Sequence, residues 1–214
     1  MYGNACKCRK RDNLSVKTLF FDVDTQIDFL FPAGALYVPS AENLLERLAG
    51  LTRFAMANSL QIISTADAHT ENDPEFGAWK PHCVAGTVGQ TKASGTLLPQ
   101  ALVLSSTKTP LENVQANAQT VPQILIEKQS IDCFTNPNLH PLLKMLNPDR
   151  YIVYGLVTEV CVGKAVFGLL KTGARVELVT DTTMSLDKSQ GERTFMDFQA
   201  AGGFLTTMAA VTAS

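Results

Sequence analysis

Several residue types are scarce in this sequence, and each scarcity excludes something. Charged residues are only 18% of the 214 positions, against 45% hydrophobic, so the composition is not that of a disordered chain. No apolar run approaches the roughly 18 residues of a membrane helix, so no span and no membrane partner are expected. Bases do not outnumber acids: 18 Lys and Arg face 20 Asp and Glu, for a net charge of −2. That balance argues against a nucleic-acid partner. Histidine occurs three times and tryptophan once, so each can be placed individually. There is no internal repeat and no low-complexity block. The early bases Lys7, Arg9, Lys10 and Arg11 are followed by no apolar stretch, so no secretory signal is expected. The five cysteines (Cys6, Cys8, Cys83, Cys133 and Cys161) are odd in number and irregular in spacing. They fit a reducing, cytoplasmic setting with at least one free thiol.

The length suits one domain, long enough to bury roughly 70% of its unfolded surface without staples. Residues 1–16 read as a basic tail and residues 17–214 as a single domain. Strand and helix patterns alternate along that domain. VKTLFFDV at 16–23, LQIISTA at 60–66, ILIE at 124–127, YIVYGL at 151–156 and RVELVT at 175–180 read as strands, with a sixth at 204–208. Helices are expected at 44–54 with Ser40 as N-cap, and at 138–146, 159–172 and 189–201. The stretch 67–99 reads as one long polar loop, and such loops are often functional. The order predicts an α/β fold: a doubly wound, mostly parallel sheet with helices on both faces. In that architecture ligands sit beyond the carboxyl ends of the strands.

The chemistry-bearing residues fall at those ends. Asp24 closes the first strand, with Asp22 a rival two residues earlier on the same face. Asp67 and His69 close the second, Lys128 the third, and Cys161 follows the fourth. Alone, Cys161 reads equally as a small buried helix residue. In the first turn of a helix and near Lys128, its thiol pKa is expected to fall from about 8.5. Asp24 could then take the thiol proton, and the amides around Val157 and Cys161 could hold an oxyanion. Asp67 and His69 project to one side of an extended backbone, and Glu75 and His82 return from the loop. Such mixed nitrogen and oxygen ligands suit zinc, iron or manganese. Glu71 and Asp73 compete with Glu75 for the carboxylate position. Phe29 and Trp79 could wall a flat aromatic substrate, or simply pack in the core.

DTQIDF at 24–29, the lysine after the third strand and GLVTEVCV at 155–162 resemble the cysteine hydrolases of the isochorismatase-like superfamily. DAH at 67–69 and WKPHCVAGTVG at 79–89 narrow the resemblance to the nicotinamidase group. It covers roughly 17–210. It implies a catalytic triad of Cys161, Lys128 and Asp24, with the amides of Val157 and Cys161 as oxyanion hole. It implies a cis peptide between Leu156 and Val157. It also implies one divalent metal ion, zinc first and iron or manganese as alternatives, on Asp67, His69 and His82. The fourth ligand varies in the family, and Glu75 fits the form that uses glutamate. Phe29 and Trp79 would sandwich the substrate ring. The implied reaction converts nicotinamide to nicotinate and ammonia through a cysteine thioester, in a dimer or tetramer. A sister amidase acting on a ureido, carbamoyl or maleamate-type substrate is the alternative, and a catalytically silent binding module a further one. Two departures stand out: Glu159 where many of these enzymes have aspartate, and Val160 where they have tyrosine or histidine.

Overall fold

Strand β1 (Thr18–Val23) is largely apolar and buried at nearly every position because it lies in the middle of a sheet covered on both sides. Parallel sheets flanked by helices select such sequences, since neither face meets water. Alternation sends Leu19, Phe21 and Val23 into one core and Phe20 into the other. The computed structural model describes residues 16–213; positions 1–15 of the expected tail, with Cys6 and Cys8, lie outside the described residues.

The remaining strands are β2 (Gln61–Asp67), β3 (Ala101–Leu104), β4 (Gln123–Lys128), β5 (Arg150–Leu156), β6 (Arg175–Met184) and β7 (Phe204–Thr206). Their spatial order is β3-β4-β2-β1-β5-β6-β7, and every neighbouring pair runs parallel. A short helical turn, α1 (Ile27–Leu30), follows β1. Helix α2 (Leu45–Ala57) lies on one face of the sheet. Helices α3 (Leu111–Ala118), α4 (Leu139–Leu146), α5 (Gly163–Leu170) and α6 (Lys188–Ala200) pack on the other. The last helix, α7 (Met208–Thr212), returns to the α2 side through Val211. The doubly wound architecture is as expected. The winding reverses at β1, between β2 and β5, and a crevice belongs at the carboxyl ends there.

Among the described residues the strand count is seven rather than six. Strand β3 and helix α3 both fall in a region that carries little pattern. ALVL offers too few residues to distinguish strand from loop, and α3 buries only Val114 and Ala118 of its described side chains. Ser40 is not an N-cap. Its backbone is left-handed (φ 69°), its side chain makes no capping bond, and a tight turn, Ala41–Leu44, leads into α2 instead. Among the described residues no helix is long and apolar enough to cross a membrane.

Candidate active site

Asp24 leaves β1 with a left-handed backbone (φ 48°), which breaks the strand's alternation. Asp22 and Asp24 therefore do not share a face as their spacing suggests. Asp22 pairs with Lys92, at 2.9 Å, on the α2 side of the sheet. Asp24 pairs with Lys128, also at 2.9 Å, beyond the strand end. Its other carboxylate oxygen accepts a 2.6 Å hydrogen bond from the Thr65 hydroxyl.

Lys128 is the last residue of β4, so the sheet itself aims its side chain. It is buried, and its Nζ meets three groups: Asp24, Asp67 Oδ1 and, at 3.7 Å, Cys161 Sγ. Burial disfavours an ammonium, but the two carboxylates outweigh it and hold the Lys128 pKa well above its ordinary value. Burial raises the Asp24 pKa, with Lys128 opposing. Asp67 lies below the usual carboxylate range, because Lys128 and its imidazole neighbours overcome the burial cost.

Cys161 sits on a wide turn of π-helical geometry, Thr158–Val162, between β5 and α5. The turn closes with the Val162 amide donating to the Val157 carbonyl at 3.1 Å. The Leu156–Val157 peptide is cis, as the resemblance implied. Gly155 precedes it at φ 119°, with β1 backbone where a Cβ would stand, so only glycine fits. The expected fall in the thiol pKa is overturned. Burial pushes the Cys161 thiol well up, and the Asp24 and Asp67 charges add to this against Lys128. Lys128 is already shared between two carboxylates, so its charge opposes the rise without reversing it.

The second cluster adjoins the first. Oδ2 of Asp67 lies 3.9 Å from His69 Nε2 and 3.7 Å from His82 Nε2. His82 Nδ1 faces the Lys80 carbonyl at 2.7 Å, which fixes the proton there and leaves Nε2 as a lone pair. Asp73 Oδ2 stands 3.1 Å from His69 Nδ1. Both ring nitrogens of His69 are buried without a hydrogen-bond partner, and Nε2 is the one that faces Asp67. An orphaned imidazole nitrogen converging with a second imidazole and a carboxylate fits a divalent metal ion. Glu75 is adjacent but reaches only His69, with Oε1 at 4.0 Å from Nε2. Its pKa is raised by burial and by Asp67. Among its rivals, Asp73 is occupied with Nδ1, and Glu71 is exposed.

Some members of this constellation carried no sequence signal. Phe76 packs on both imidazoles, with ring centroids 5.2 Å from His69 and 5.8 Å from His82. The Gln26 amide clamps the backbone of Asp67, donating to its carbonyl at 2.8 Å and accepting from its N–H at 2.7 Å. Asp28 accepts the amides of Ala35 at 2.8 Å and Cys83 at 2.7 Å, and so pins the loop that presents His82. The Asp28 carboxylate could have been noticed in DTQIDF; Phe76 had no pattern to announce it.

Both clusters open on one pocket. Phe29, Trp79, Ile131, Val160 and Leu186 supply apolar walls, and Asp67, Glu75, His82 and Cys161 the polar atoms. Phe29 also packs on His82, at 5.4 Å between centroids.

The chain matches the isochorismatase domain over residues 18–210. It is 26% identical to the nicotinamidase of Escherichia coli (strain K12) over 211 residues, covering 87% of this chain and 93% of that one. It is similar in structure to the pyrazinamidase of Pyrococcus horikoshii, solved in complex with zinc (TM-score 0.72, 23% identity, 89% of this chain and 99% of that one). It is also similar to the N-carbamoylsarcosine amidase of Thermoplasma acidophilum (TM-score 0.69, 18% identity, 90% of this chain and 97% of that one). The chain belongs to the isochorismatase domain family, within which it is a nicotinamidase-like hydrolase acting on an amide bond.

Proposed function

We propose that the protein hydrolyses nicotinamide, or a closely similar neutral heteroaromatic carboxamide, to the carboxylate and ammonia. The observation that carries this reading is the composition of the pocket. Its walls are aromatic and aliphatic, and its charged lining is acidic (Asp67 and Glu75), with no lysine or arginine among the described lining residues. A maleamate or an N-carbamoyl amino acid bears a carboxylate, and the described lining offers no lysine or arginine side chain to form a charged hydrogen bond with it. A neutral ring amide needs none.

In this reading Asp24 takes the proton from Cys161 Sγ, and Lys128 offsets the negative charge of the thiolate as it forms. The thiolate attacks the amide carbon, and the backbone amides of Val157 and Cys161 stabilise the tetrahedral oxygen. Asp24 then protonates the departing nitrogen, the carbon–nitrogen bond breaks, and a thioester remains on Cys161. Water activated by Asp24 hydrolyses the thioester, releasing the acid and restoring the thiol. Phe29 and Trp79 hold the ring between them. A divalent ion on Asp67, His69 and His82, zinc first and iron or manganese as alternatives, would supply a Lewis-acid contact that orients the substrate through its ring nitrogen.

The test is ammonia release from nicotinamide by the metal-loaded protein, with maleamate and N-carbamoylsarcosine alongside and Cys161→Ala as control. Turnover of nicotinamide alone, lost in the control, is expected. Preferential turnover of either anionic substrate would overturn the reading.

A further inference from the structure

We propose that Leu186 is a specificity-determining residue of this pocket, limiting the size of the ring it accepts, and that Glu159 holds it there. The inference rests on the ring-amide reading above.

Leu186 lies in the bend between β6 and α6. It is 43% exposed, yet it lines the pocket together with Phe29, Trp79 and Cys161. An exposed leucine at a pocket mouth carries little meaning if its backbone is free to wander. This backbone is fixed. The consecutive N–H groups of Leu186 and Asp187 converge on one oxygen, Glu159 Oε1, at 2.8 Å each. Hydrogen bonds to a carboxylate are roughly twice as strong as neutral ones. Asp187 is held from the other side as the N-cap of α6, accepting from the Ser189 and Gln190 amides. A buried bond between the Thr158 and Thr183 hydroxyls, 2.8 Å long, ties the same two segments again.

Glu159 stands two residues before Cys161 in the same wide turn. The Leu186 side chain is therefore referenced to the reacting sulfur through a short, stiff linkage. It offers a ring no donor and no acceptor. It can only discriminate by size, and a methyl added to the ring on the Leu186 side would have to displace it. Selectivity for one methylene in an apolar pocket runs from about 10- to 200-fold.

The experiment measures kcat/KM for nicotinamide and for the set of ring-methylated nicotinamides, using the metal-loaded protein. Leu186→Ala is expected to raise the methylated-to-unsubstituted ratio by about tenfold for at least one isomer. Glu159→Ala should shift the same isomer in the same direction, since the bend loses its anchor. Glu159→Gln retains the accepting oxygen and should keep the wild-type ratio. A merely structural role for these residues would depress every substrate in parallel and leave the ratios alone. Unchanged ratios in both alanine variants, with wild-type turnover of nicotinamide intact, overturn this inference by itself. Absence of wild-type turnover overturns the ring-amide reading and this inference with it.

Discussion

Asp67 and Lys128 form a buried ion pair that joins two clusters into one site. Oδ1 of Asp67 meets Lys128 Nζ, and Oδ2 faces the two imidazoles. The register of the sheet produces this, because Asp67 and Lys128 are paired neighbours at the ends of β2 and β4. One carboxylate thus borders both the thiol and the candidate metal ligands. Asp67→Asn is expected to lose bound zinc and turnover together. His82→Ala touches only the imidazole side, so it should lose zinc while Cys161 keeps its wild-type rate of alkylation by iodoacetamide. Zinc content by atomic absorption and the alkylation rate check this; zinc retained at full occupancy in Asp67→Asn would refute it.

Lys128 also carries the charge balance of the buried cluster. Without it, Asp24 and Asp67 would face each other with no cation between them. Removing one partner of a buried ion pair costs about 3–5 kcal/mol. Lys128→Met should therefore unfold at clearly lower urea, and the folded fraction should lose at least about 100-fold in kcat. A folded Lys128→Met protein of wild-type kcat would remove Lys128 from the mechanism.

The parts of the molecule legible in the sequence were those with a strong local pattern. β1, β2 and β5 are short apolar runs bounded by polar residues, and their ends placed Asp24, Asp67 and Cys161 at one edge. β3 and α3 were illegible because each buries too few residues to impose a period. The separation of Asp22 from Asp24 was illegible for another reason: a single left-handed residue cancels the alternation, and no residue type announces it here. The thiol pKa went the other way because a helix-turn argument counts nearby charge and omits burial. Around Cys161 the desolvation cost and two carboxylates outweigh one lysine that is already engaged.

Asp22 and Lys92 make a second buried ion pair, on the opposite side of the sheet from Asp24. Thr25 stands beside it, accepting from Lys92 Nζ at 2.7 Å and donating to Asp22 at 3.2 Å. Both charged side chains are essentially fully buried. Lys92→Met alone should destabilise by about 3–5 kcal/mol, because Asp22 is left buried without its counter-charge. The double variant Asp22→Leu, Lys92→Met should recover most of that loss, since apolar replacement of a buried pair is often neutral or better. Urea unfolding of the variants checks it; a double variant no more stable than the single one would count against the ion-pair account.

Glu177 predicts how stability depends on pH. It lies in β6 and receives Arg150 Nε at 2.8 Å, Arg150 Nη2 at 2.7 Å and Arg175 Nε at 2.6 Å. Burial would raise its pKa, but these bonds and charges outweigh burial and hold it below the ordinary value. A folded-state pKa below the unfolded one means that the native state favours the ionised form. Its stabilisation is then present above the unfolded value, about 4.3, and is lost as the pH falls through the folded one. Glu177→Gln should therefore cost about 1–3 kcal/mol near neutral pH. The difference from wild type should begin to shrink as the solution is acidified below about pH 4 and be lost once the pH falls below the depressed folded-state pKa, where the glutamic acid is as uncharged as the glutamine. Paired urea titrations across that range read it directly, and a pH-independent difference would show that lost packing, rather than lost charge, sets the cost.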